Sequence, residues 1–311
     1  MERKTIRVMT QLIAICLGAT IFVHAQERTP QAPTGRFETA ATLPSAGPTE
    51  NLCQTPDGSI YITGIDDRIL WKVSPKGDVE KFATLASMMA VLGVAPYKGG
   101  FVLTAFQKSF RRPPPTMRDL SDVGPAVLVL DKTGNLVATI PGEKGQAFNG
   151  IAAAGKGWYI AADSNASSLW RIDPAKKKIE LWLKDDQLAP TGAPAIGANG
   201  IKVHDGWVYV SVTAHRAIYR VQIGPHGKPK GALSLFAQGL RPEDFGIAKD
   251  GTIYAPTGNS IDKISPTGEV SKFLDGVPGG PAALVDKSGK WLYWPTRGGK
   301  DPQRLLKAAI K

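Results

Sequence analysis

Short apolar runs rich in β-branched and aromatic residues recur along nearly the whole chain, and almost nothing after Phe37 shows helical periodicity. Between the runs stand turn signals: Pro56-Asp57-Gly58, Pro75-Lys76-Gly77, Lys132-Thr133-Gly134, Asp205-Gly206, Asp250-Gly251, Pro266-Thr267-Gly268 and Lys287-Ser288-Gly289. This alternation predicts antiparallel hairpins. One phrase repeats within it: a polar residue, an apolar pair, a turn glycine and an aromatic-rich strand. Glu50 opens ENLCQTPDGSIYITG, Asn149 opens NGIAAAGKGWYIAAD, Asn199 opens NGIKVHDGWVYVSVT and Glu243 opens EDFGIAKDGTIYAPT, at offsets of 8, 8, 7 and 8 residues from Gly58, Gly157, Gly206 and Gly251.

Each phrase leads two further strand-like runs, such as RILWKVSP and GDVEKFATL after the first, so one unit holds four strands. A degenerate unit, VLGVAPYKGGFVLTAF with AVLVLDKTGNLVATI, follows the first, and a last one carries AALVDKSGKWLYWPT. Six four-stranded units of roughly 40 to 58 residues predict an all-β chain, a six-bladed β-propeller. The last unit lacks an outer strand, and FETAATL at 37–43 stands unpaired before the first, so an N-terminal strand is expected to close the ring.

Composition changes the picture at the ends. Arg3, Lys4 and Arg7 precede the apolar run LIAICLGATIFV, which ends at Val23-His24-Ala25. That reads as a secretory signal over 1–25 rather than a membrane anchor, with an exported, periplasmic or secreted product. Residues 26–35 read as a polar, Pro-rich disordered leader, and 36–311 as the propeller domain. Of two cysteines only Cys53 would remain, which excludes an internal disulfide. The net charge of +11 is dispersed: KKK at 176–178 is followed by Glu180, and Arg111-Arg112 is the other dense spot. This is a solvated basic surface, with neither nucleic acid nor stable membrane insertion expected.

Candidate chemistry lies in the repeated column. Inner strands of a propeller surround one channel, so Glu50, Asn149, Asn199 and Glu243 should meet at one mouth, where the second and sixth units offer only Leu92 and Pro281. Carboxylate and amide oxygens suit one divalent cation, Ca²⁺, Mg²⁺ or Mn²⁺, with Zn²⁺ also compatible.

The motifs ENL, FNGI, ANGI and PEDF, with ADSNASSLWRIDP and VSVTAHRAIYRV, resemble the senescence-marker/gluconolactonase (regucalcin-like) six-bladed propellers, with strictosidine-synthase-like propellers as relatives. The resemblance spans about Ser45 to Trp294. It implies that a Glu, two Asn and an Asp hold one divalent cation, Ca²⁺ first, and that the Asp is general base in lactone hydrolysis. Glu50, Asn149 and Asn199 match by type and position. The fourth place falls on Glu243 by offset and on Asp244 by type, and a shift of one residue inverts the face of a strand. The sugar-contacting features are replaced by FNGIAAAG and ENLCQ, so the sugar substrate does not carry over.

The expected function is therefore an exported, metal-dependent hydrolase of a small lactone or ester, with Glu243 or Asp244 activating water. A non-catalytic ligand- or protein-binding propeller with a structural metal and a strictosidine-synthase-like enzyme are the alternatives. Asp163 is read as a turn cap, His215 as a surface residue and Cys53 as a core filler. Trp71, Trp170, Trp207 and Trp291 are read as packing between blades, and the Arg- and Pro-rich stretch 107–124 as an insertion at one mouth or in solvent.

Overall fold

The computed structural model describes residues 37–45, 47–107, 124–192, 196–298 and 301–310. The signal and leader segments and most of the 107–124 insertion, with Arg111, Arg112 and Arg118, lie outside the described residues. No helix among the described residues is long and apolar enough to cross a membrane.

Among these residues the strands form six four-stranded antiparallel sheets, five of them running in chain order from an inner to an outer strand. The inner strands are Thr49–Gln54 in blade 1, Met88–Tyr97 in blade 2, Phe148–Gly155 in blade 3, Ala198–His204 in blade 4, Gly246–Ile247 in blade 5 and Leu284–Val285 in blade 6. Each inner strand contacts those of the blades before and after it, and blade 6 returns to blade 1. The ring closes as predicted: Glu38–Thr42 is the outer strand of blade 6, antiparallel to Arg304–Ala309 with Glu38 opposite Lys307. Gly58, Gly157, Gly206 and Gly251 have φ of +87°, +80°, +74° and +86°, the left-handed geometry that the turns behind the repeated phrases demand.

Second strands such as Ile60–Gly64 are buried on both faces, whereas outer strands such as Val79–Thr84 are largely exposed or half-buried. The core follows from this. Six apolar clusters each straddle one junction between consecutive blades, for instance Ile160 and Leu169 of blade 3 against Val208 and Val210 of blade 4. Trp71 belongs to such a junction. Trp170 and Trp207 are half-buried and pack against two others, whereas Trp291 belongs to none of these clusters and carries Lys307 over its ring at 4.8 Å, which corrects its reading as packing between blades.

The inner strands of blades 1 to 4 share one irregularity. Their pairing with the second strand slips at Glu50-Asn51, Leu92-Gly93, Asn149-Gly150 and Asn199-Gly200, so each column position sits in a β-bulge. Second-strand hydroxyls staple the bulges. Thr63 accepts from the Asn51 amide at 2.9 Å and donates to the Leu92 carbonyl of the next blade at 2.6 Å. Thr104 likewise accepts from Gly93 at 2.8 Å and donates to the Asn149 carbonyl, and Ser211 accepts from Gly200 at 2.8 Å and donates to that of Glu243. The glycines are steric: a Cβ on Gly150 would lie 2.7 Å from the Asn199 carbonyl oxygen.

Thr104→Val keeps the shape of this side chain but leaves the Gly93 amide and the Asn149 carbonyl without their partner. Chemical denaturation should show a loss of about 1–3 kcal/mol. An unchanged midpoint would mean that the staples do not hold the bulges.

Candidate functional site

With these positions bulged alike in blades 1 to 4 and Glu243 set just before the inner strand of blade 5, the structure brings Glu50, Asn149, Asn199 and Glu243 to one cavity of about 230 Å³ where the inner strands begin. Asp66 and Arg297 also line it, and its apolar wall includes Leu92 and Phe106. Leu92 and Pro281 stand at the column positions on either side of blade 1, so Glu50 lies between two apolar blades.

That placement has an electrostatic consequence. Glu50 is pushed up from 4.5 to about 8, first by burial and next by the charge of Glu243, with Asp244 adding to the effect. The Arg297 guanidinium and a hydrogen bond from Asn149 pull the other way. Arg297 Nη1 lies 2.9 Å from Oε1 and 2.8 Å from Oε2 of Glu243, so one carboxylate already has a counter-charge. Asn199 is buried and donates its Nδ2 to Thr213 at 3.1 Å, leaving its amide oxygen as the remaining polar atom. Two carboxylates and two amides in a largely apolar enclosure fit a hard cation, which would relieve the repulsion behind the shift of Glu50. Among the described residues no three His, Cys, Asp or Glu side chains are grouped to hold a metal, so such a site depends on the amides.

Asp244 points elsewhere. Its Oδ2 accepts from Asn51 Nδ2 at 2.7 Å and pairs with Lys202 Nζ, and its Oδ1 accepts from the Phe245 amide at 2.8 Å. Only 4 % of its side chain is exposed, and it does not line the cavity of Glu50 and Glu243. Asn51 and Asp244 follow Glu50 and Glu243 directly, where glycines follow Leu92, Asn149 and Asn199. Their side chains and Lys202 bridge the channel beneath the two carboxylates. On its far side lies a second cavity of about 260 Å³, lined by Lys202, His204, Cys53 and Gln54, where the inner strands end.

The other residues singled out from the sequence lie outside the first cavity. Asp163 caps its turn: Oδ1 accepts from the amides of Ala147, Asn165 and Ala166, and Oδ2 from Trp170 Nε1 at 3.0 Å. His215 Nε2 is 2.7 Å from Thr191 Oγ1, and its Nδ1 is 3.3 Å from the Tyr219 hydroxyl. Cys53 is buried among apolar side chains that push its thiol up to about 12, which makes it inert as a nucleophile. Sequence reasoning missed Arg297. It falls eight residues after the turn glycine Gly289, as Asp66 does after Gly58, and this second column was the available signal.

No family model matches the sequence, and no curated protein matches it. Solved structures do match its fold. A gluconolactonase from Xanthomonas campestris superimposes with a TM-score of 0.66 at 15 % identity, over 88 % of this chain and 89 % of that one. The calcium-binding protein regucalcin from Agrobacterium tumefaciens gives 0.62 at 15 % identity, over 88 % and 95 %. A catalytically inactive virginiamycin B lyase from Staphylococcus aureus, solved with quinupristin, gives 0.57 at 13 % identity, over 86 % and 83 %. The chain thus shares a propeller fold with gluconolactonase, regucalcin and lyase structures alike.

Proposed function

We propose that the chain is an exported hydrolase that opens a small lactone or ester with the help of a divalent cation, calcium first, held by Glu50, Asn149, Asn199 and Glu243. The observation that carries this reading is the convergence of these four oxygen-bearing side chains, each from a different blade, on one cavity. The likeness to gluconolactonase and regucalcin structures supports it, but that to a lyase shows that fold alone does not choose. Export rests on the charged and apolar pattern of residues 1–25.

When bound, the cation supplies a Lewis acid for the ester carbonyl. Glu243 would take a proton from the attacking water, since it lines the cavity whereas Asp244 is held outside it by Lys202 and Asn51. Arg297 balances Glu243 while its carboxylate is charged. Asn149 holds the Glu50 carboxylate by a hydrogen bond, and Thr213 orients Asn199. Leu92 and Phe106 keep water from one side of the cavity.

The test is calorimetric titration of the purified mature protein with Ca²⁺, Mn²⁺, Mg²⁺ and Zn²⁺, together with a lactone and aryl-ester panel before and after chelation. One equivalent of bound cation and turnover that EDTA abolishes and added metal restores are expected. Turnover that survives EDTA would sink the proposal. A second reading, a metal-free binding propeller, draws on the Arg297–Glu243 pair, which already supplies a cation to the site. Absence of both cation uptake and hydrolysis would favour it.

A further inference from the structure

The cavity walls bear on the kind of molecule it takes. The side chains around the four oxygen donors include Pro48, Ile65, Leu92, Phe106, Ile196 and Pro281. On the blade 2 side this wall is continuous with a buried apolar cluster of Ala90, Leu92, Phe106 and Ala147, packed by Ile65 and Met89. Several polar groups lining the cavity bond within the protein, and the carboxylates of Glu50 and Asp66 line it as well. Thr49 Oγ1 donates to the Thr296 carbonyl at 3.0 Å and Ser164 Oγ to that of Ala198 at 2.8 Å. Asn199 Nδ2 bonds Thr213, Asn149 bonds Glu50, and Arg297 is held on Glu243. A polyhydroxylated ring here would set hydroxyls against these apolar walls, whereas an alkyl chain would meet matching ones.

We propose that the substrate is a small lactone or ester with an apolar acyl or alkyl portion, and not a sugar lactone. This rests on the hydrolase reading for its chemistry, but the selectivity belongs to the walls and exists without the cation. A volume of about 230 Å³ is below the usual range for drug-sized ligands and suits a ring with a short alkyl arm. Moving a hydroxyl into an apolar pocket is disfavoured by up to about 100-fold. With water at the rim satisfying some hydroxyls, the expected preference is at least about tenfold.

The experiment compares γ-heptalactone with D-ribono-γ-lactone, which share a five-membered ring and differ in apolar against hydroxylated substituents. Binding to the full mature chain is measured by ligand-observed NMR in EDTA, where the proposed function predicts no turnover. Tighter binding of γ-heptalactone by about tenfold or more supports the inference. Equal binding, a reversed order, or binding of neither overturns it. Leu92→Asn should narrow the ratio severalfold, and Phe106→Tyr provides a second wall variant if the first does not fold; a ratio unmoved in a folded variant also overturns the inference. A separate calcium titration of the wild-type chain reports on the proposed function, so failure of one is not mistaken for failure of the other.

Discussion

Glu50→Gln should abolish uptake of the divalent cation and lower lactone or ester turnover by at least about a thousandfold, yet raise the melting temperature of the metal-free protein. The first two effects follow from the donor set. Glu50 and Glu243 are the two carboxylates of the proposed donor set, and replacing one by an amide removes half of the negative charge of that set. A Lewis acid is worth several kcal/mol to an acyl transfer, and each 1.36 kcal/mol is a factor of ten in rate. The third effect has the opposite sign because Glu50 is held near Glu243 between apolar blades, which pushes it up to about 8. In the unfolded chain its carboxyl ionises near 4.5, while in the folded metal-free protein it stays protonated to about 8. The unfolded state therefore gains from ionisation as pH rises between these values, and native stability falls. Glutamine does not ionise, so the advantage of the variant should grow from pH 4.5 towards 8 and then level off. Calcium calorimetry and thermal melts across that window check all three effects. Cation binding unchanged in the variant would remove Glu50 from the site.

The fold was legible because its signals are local and repeated. Turn glycines at Gly58, Gly157, Gly206 and Gly251 mark positive-φ positions, and FETAATL had no partner until the ring was closed. The four column positions were legible for the same reason. Which of Glu243 and Asp244 faces the other three was not, because counting by twos assumes a regular strand. Here Glu243 and Asp244 precede the two-residue inner strand Gly246–Ile247, and the equivalent positions of blades 1 to 4 are bulged. A bulge turns the next residue towards the channel, where three blades tolerate only glycine, and so Asn51 and Asp244 meet. The partnership spans 193 residues of sequence, and no periodic argument connects them. Arg297 was hidden because it comes from the loop after the second strand of blade 6, where its residue type has no counterpart in the other repeats.

Lys202→Met should destabilise the protein by about 3 kcal/mol at neutral pH, and by more than Asp244→Asn does. The argument lies in how unequally the two partners can escape. Asp244 is 4 % exposed in its side chain and sits deep between the two cavities, with Asn51 and the Phe245 amide as its other donors. Without Lys202 its charge remains buried with two neutral hydrogen bonds. Lys202 is 23 % exposed and lines the far cavity, so without the Asp244 charge its ammonium can turn towards water along a flexible stem. Because Asn51 and Asp244 follow Glu50 and Glu243 in the chain, loosening this bridge should also weaken cation binding, by about 10- to 100-fold as for other groups that support metal ligands. Chemical denaturation at neutral pH, with calcium titration of each folded variant, separates the two consequences. Equal losses for both variants would show that the bridge acts only by filling space and that its charges carry nothing.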